Sequence, residues 1–383
     1  MSALDKLQSA IRDRGAELRK SKEEGRKVIG YTQGDYLPME IIYACEPLPV
    51  SFGLIRGGEH EPVTVSGAYV PRWIDTFCRA QIGYWALKEE PFYQMLDLLI
   101  VPITDSNVRA IADLWDFYTP VEVFRYGVPH GKTNNGYRYF LDGLRLLKEK
   151  LEAYIGTKIT DDKLKEAIQL CNQERRLFRN LSFMRQGDEL PFTSREFVML
   201  NHGSFLIDKK VMVEILKEFT SEVKERKLGS IKSPRILLTG STLAMGDLKI
   251  LDFIGESGAT VVVEEFAEGL RYYWDDLENA GDPLEALADF YFKQRIHGAW
   301  LRPGRERLDF LLKLVKTYHV DGVIWYQTMY RDSYDIEAFY FSELLKKETG
   351  LQMLKLESDY EATERGPFLT RIETFIETIK RGR

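Results

Sequence analysis

Three cysteines are the residues best suited to metal or redox chemistry in this chain: Cys45, Cys78 and Cys171. No two of them have C-x-x-C spacing, so any metal site using them must be assembled by the fold. An odd, sparse set with no leading signal-peptide pattern reads as free thiols, not as a disulfide framework. Five histidines (His60, His130, His202, His297, His319) show no metal-ligand spacing and are expected as surface or cap residues. No serine stands in a Gly-x-Ser-x-Gly elbow, so a hydrolase triad is not indicated. Neither a Gly-x-Gly-x-x-Gly fingerprint nor a P-loop is present, and ATP binding by this chain is unsupported. Gly240-Ser241-Thr242 at a strand end reads either as a phosphate seat at a helix N-terminus or as a plain tight turn.

The elements that must position these residues are legible as apolar runs. Short runs at 27–31, 48–52, 98–102 and 121–124 predict four strands, with helical patterns between them. A second series follows at 235–241, 259–264, 320–325 and 351–356. Near-continuous apolar strands alternating with helices indicate parallel sheets covered on both faces. Residues 135–185 read as helical throughout, with Thr160-Asp161-Asp162 as an N-cap cluster, and a further amphipathic helix is expected over 209–227. The expected organisation is an N-terminal helix (1–26), a first α/β lobe (27–134), a helical segment (135–233) and a second α/β lobe (234–383). Ligands of open parallel sheets sit beyond the carboxyl ends of the strands. That directs attention to 32–35, 103–107, 126–130, 240–242, 266–272 and 326–334, and two facing lobes would enclose a cleft.

Composition narrows the function classes. A formal charge of -6 and a pI near 5.7 argue against a nucleic-acid footprint. No apolar run approaches the ~20 residues of a membrane span, and the polar, charged first 26 residues are neither a signal peptide nor an anchor. A cytoplasmic address is expected.

Several segments, in order and across almost the whole chain, are similar to the 2-hydroxyacyl-CoA dehydratase D-component family, which includes benzoyl-CoA reductase subunits. Tyr36-Leu37-Pro38-Met39-Glu40-Ile41-Ile42-Tyr43-Ala44 with Leu48-Pro49-Val50 resembles that family's P-E-E-L-I-x-A-A-G-x-x-P-V. Val101-Pro102-Ile103-Thr104-Asp105-Ser106, Arg235-Ile236-Leu237-Leu238-Thr239-Gly240-Ser241, Gly269-Leu270-Arg271-Tyr272 and Asp321-Gly322-Val323-Ile324 continue the match. The resemblance implies two flavodoxin-like parallel-sheet lobes with an intervening helical segment. It also implies a paralogous partner subunit, an ATP-dependent activator protein delivering an electron, an acyl-CoA substrate reduced to a ketyl-type radical, and a [4Fe-4S] cluster between the lobes. Iron–sulfur clusters are held mainly by Cys thiolates.

The chain departs from the family where cluster ligands are expected. Cys78 is kept in Thr76-Phe77-Cys78-Arg79, but Thr104, Ala267 and Arg331 stand at the other positions where the family carries cysteine. A single Cys78 cannot hold a four-iron cube by itself, and a fixed cation at 331 works against one. Three expectations remain open. The chain is a companion subunit with a degenerate site, whose partner carries the cluster. Alternatively it is a cluster-bearing catalytic redox subunit using non-Cys or cross-subunit ligands. In the third it is a binding protein whose cleft takes a small acidic or CoA-like ligand through Arg331, Arg271 and Arg79. In their bland readings, Arg271 pairs with Asp275 or Asp276 and Arg79 is a helix-surface charge.

Overall fold

Val28–Thr32 (β1), Val50–Leu54 (β2), Leu98–Ile103 (β3) and Glu122–Gly127 (β4) pair in parallel in the order β2-β1-β3-β4. Arg235–Gly240 (β5), Thr260–Glu265 (β6), Gly322–Thr328 (β7) and Met353–Ser358 (β8) repeat that order as β6-β5-β7-β8. This is a two-lobed, flavodoxin-like α/β architecture with helices between the sheets in sequence. The computed structural model describes residues 1–32, 36–88, 90–226, 229, 231–278, 281–302 and 304–382. The inner strands β1, β5 and β7 are buried along their whole length, as their apolar runs require. Of the four edge strands, β2 and β6 are almost wholly buried, whereas β4 and β8 mix buried with partly exposed positions.

Residues 135–185 are not one continuous helix. Asn134–Ile155 ends at Gly156, whose φ of 85° is a left-handed cap, and Asp161–Phe183 restarts at Thr160, whose hydroxyl accepts from the Lys163 amide. The Ala3–Glu23 helix opens with a Ser2/Asp5 capping box and is tied to Lys209–Lys224 by a 2.6 Å Lys6–Glu218 ion pair. The helices Pro283–Ala288 and Arg305–Thr317 and the π-turn Asp289–Gln294 fill a stretch where the sequence suggested no element. Among the described residues no helix is long and apolar enough to cross a membrane.

The lobes share a core. Leu99, Val101 and Trp115 of the first and Leu237, Val263 and Trp325 of the second belong to one continuous apolar cluster. Two isolated parallel bridges, Arg56 with Met245 and Gly131 with Arg302, add backbone pairing across the junction.

Candidate functional site

In each sheet the strand order reverses direction between its first and third strands, the point where open α/β sheets leave a crevice. Thr32 ends β1 and Thr104 follows β3; Ser241 and Arg331 follow β5 and β7. All four line one cavity of about 50 Å³ between the lobes, joined by Cys78 and Ala267. The positions at which the family resemblance placed cluster ligands (78, 104, 267 and 331) therefore converge. Of the first strand-end segment, residues 33–35 lie outside the described residues.

Cys78 occupies the first turn of the Thr76–Leu87 helix. Asp75 caps that helix, its Oδ1 accepting from the Cys78 amide at 2.9 Å. Asp105 caps the next helix, Ser106–Tyr118, with Oδ1 accepting from the amides of Asn107 and Val108. These two caps place a carboxylate beside each helix N-terminus at the cavity edge. Arg331 precedes the Asp332–Thr349 helix of the other lobe and reaches across. Its Nη2 lies 3.2 Å from Asp105 Oδ2, and its Nη1 lies 4.0 Å from Asp75 Oδ1 and 3.7 Å from Cys78 Sγ. Thr104 donates its hydroxyl to Asp105 Oδ2 at 3.1 Å, and its carbonyl lies 2.6 Å from His130 Nε2.

A second polar crossing lies beside the first. Arg79 Nη2 and the Thr76 hydroxyl both donate to Asp359 Oδ1 after β8, at 2.6 and 2.5 Å. Arg79 is buried in this contact and is not a helix-surface charge. Between the two crossings the chain passes through Tyr330, a non-glycine residue with φ of 66°, whose carbonyl accepts from Asn107 Nδ2 at 3.2 Å. A left-handed tyrosine carries a backbone cost that its fixed surroundings must offset.

Arg271 is not among the residues lining the cavity. Its fully buried side chain lies 3.3 Å from Glu265 Oε1, and Arg307 links the same carboxylate to Glu337. Asp276 pairs instead with Arg176 and Arg179. Gly240 closes β5, and the segment runs on from it with the Ser241 amide donating to the Tyr326 carbonyl of the neighbouring β7 at 3.2 Å, so it is not a tight turn; the next helix starts only at Lys249. A phosphate seat at a helix N-terminus is thereby removed. His202 and His297 are buried core residues rather than surface ones, each bound through Nε2 to a backbone carbonyl.

Burial pushes the Cys78 thiol well above its usual range. Asp75 and Asp105 add to that rise, and the pull of Arg331 in the other direction does not reverse it. Burial works against the charge of Arg331, but the two carboxylates outweigh it and raise its pKa further. The cavity thus presents a protonated thiol, a permanent guanidinium, hydroxyls and the carboxylate of Glu268, whose Oε1 accepts from the Leu243 amide. Soft thiolate donors are what a four-iron cluster needs, and Cys78 is the one sulfur among the described residues lining the cavity. Among the described residues no three His, Cys, Asp or Glu side chains are grouped to hold a metal ion. The donor set does not fit a [4Fe-4S] cluster.

Sequence reasoning missed Asp75 and the interlobe roles of Asp359 and Asp105, the latter noted there as part of the family-like segment 101–106. An aspartate immediately before an apolar helix was the available signal, and it announces a cap rather than a partner 253 positions away such as Thr328, whose hydroxyl donates to Asp75.

The chain belongs to the 2-hydroxyglutaryl-CoA dehydratase D-component family, whose model matches residues 36–379. It is similar to the putative dehydratase subunit YjiM of Escherichia coli (strain K12), 25% identical over 363 residues covering 94% of this chain and 93% of that one. It is also similar to a benzoyl-CoA reductase subunit of Thauera aromatica, 26% identical over 310 residues, 80% of this chain and 79% of the other. The (R)-phenyllactyl-CoA dehydratase beta subunit of Clostridium sporogenes is 24% identical over 365 residues, 94% of this chain and 93% of its own.

Proposed function

We propose that this chain is a companion subunit of a cytoplasmic, ATP-activated, radical-type 2-hydroxyacyl-CoA dehydratase or benzoyl-CoA reductase complex. Its partners in this reading are a paralogous subunit that holds the [4Fe-4S] cluster and an ATP-dependent activator protein. The observation that carries it is the exchange at the shared cavity: Thr104, Ala267 and Arg331 stand with Cys78 where thiolates would be needed. Relatives named as subunits of a CoA-thioester dehydratase and of a reductase support membership of a multi-subunit enzyme. This chain's contribution is then architectural, shaping the acyl-CoA cleft or docking the activator, while the electron chemistry belongs to its partner.

Co-expression with a cluster-bearing paralogue is the test. A stable heteromeric complex whose acyl-CoA turnover needs both chains supports the companion role. A paralogue fully active alone, with this chain remaining separate, removes it.

A further inference from the structure

We infer that Arg331 is a positioning residue which latches the two lobes together, an ionic clasp standing where a metal-ligating set does not fit. The inference rests on this chain's geometry and not on the proposed function. Arg331 comes from the end of β7 in the second lobe, whereas both of its carboxylate partners cap helices of the first. Each carboxylate divides its work. Oδ1 of Asp105 caps its helix while Oδ2 faces the guanidinium, and Asp75 adds a third tie by accepting the Thr328 hydroxyl of β7 through Oδ2. Removing one member of such a set strands a buried charge, which is far costlier than losing a surface pair. Nothing in the arrangement is local: the clasp joins residues separated by more than two hundred positions, so its breakage acts on how the lobes meet rather than on one helix.

Cys78 reports the state of the clasp. It is 1% exposed and lies under the guanidinium, so a thiol reagent reaches it only if the lobes part. Cys45 and Cys171 are also buried, but in a different core cluster, and serve as internal controls. Two variants separate opening from acidity. Arg331→Met removes a cation that favours the thiolate; Asp105→Asn removes an anion that disfavours it and keeps a good helix cap. Their electrostatic effects on the thiol are opposite, whereas both break the clasp.

The experiment is alkylation of the full-length chain, followed by mass spectrometry of each cysteine-containing peptide. Labelling of Cys78 is expected to rise by about tenfold or more in both variants, with Cys45 and Cys171 staying at wild-type rates. Unchanged Cys78 labelling in either variant overturns the latch. So does a rise in one variant alone, which would report acidity, and so does an equal rise at all three cysteines, which would report general loosening.

Discussion

Arg331 Nη1 lies 3.7 Å from Cys78 Sγ, inside a cavity onto which both sheets open their strand ends. A guanidinium keeps its charge at every accessible pH, so it opposes a metal cation at that sulfur. Two substitutions address this directly. The double variant Thr104→Cys with Arg331→Cys, adding two thiols to Cys78 and removing the cation, is expected to retain more iron than wild type after anaerobic reconstitution. Iron content equal to wild type would mean that the ligand positions were wrongly inferred.

Glu40 and Arg175 form a fully buried ion pair of 2.6 Å, closed by the Tyr291 hydroxyl, which donates to Glu40 Oε2 and accepts from Arg175 Nη2. Burial is the strongest single influence and would raise the Glu40 carboxyl, but the charge of Arg175 together with hydrogen bonds from the backbone, Arg175 and Tyr291 holds it below the usual range. Arg175→Met leaves a carboxylate stranded and is expected to cost about 3–5 kcal/mol in urea denaturation. The double variant Arg175→Met with Glu40→Leu removes both charges and should recover much of that loss.

Acid weakens the fold through its buried histidines. His202 and His297 are pushed down to about 4 by burial, against an ordinary value near 6.5. Between those limits the unfolded chain takes up protons that the folded chain refuses. Stability is therefore fully present above about pH 6.5 and is lost as pH falls toward 4. Each histidine accounts for about 2 kcal/mol by pH 5. Asp247, raised to about 6 by burial, gains stability as pH falls and offsets part of this. His202→Gln isolates one contribution: its urea midpoint should drop less than that of wild type between pH 7 and pH 5. Parallel profiles would show that His202 does not titrate in this way.

Close helix packing in the first lobe rests on a glycine. A Cβ at Gly83, in the Thr76–Leu87 helix, would stand 1.9 Å from the carbonyl oxygen of Pro62 in the His60–Val65 helix, with backbone on the facing side. Gly83→Ala is expected to lower stability by about 1–3 kcal/mol, despite alanine's better helix propensity. A melting temperature equal to or above wild type would show that the two helices separate freely.

The eight strands were legible because each is an apolar run between turn signals, and their parallel arrangement in two series followed from the βα alternation, whereas the order of the strands within each sheet was not legible. Boundaries moved by a few residues where side chains gave no contrast, as at Glu122–Gly127, an edge strand with Arg125 on its exposed side. The convergence of positions 78, 104, 267 and 331 was anticipated through the family resemblance, since periodicity alone does not say which strand ends meet. Arg271 went elsewhere because Glu265, at the end of β6, supplies a buried countercharge no local pattern announces. The same holds for Asp75 and Asp359, whose partners are distant in sequence and are brought near only by docking of the lobes.

The most direct measurement is iron and acid-labile sulfide on the anaerobically purified chain, alone and co-expressed with a cluster-bearing paralogue. The account predicts essentially no iron in the chain alone and iron recovered with the heteromeric complex. Iron near the roughly four per chain of a complete cube in the isolated protein would contradict it, and would make this chain a redox subunit in its own right.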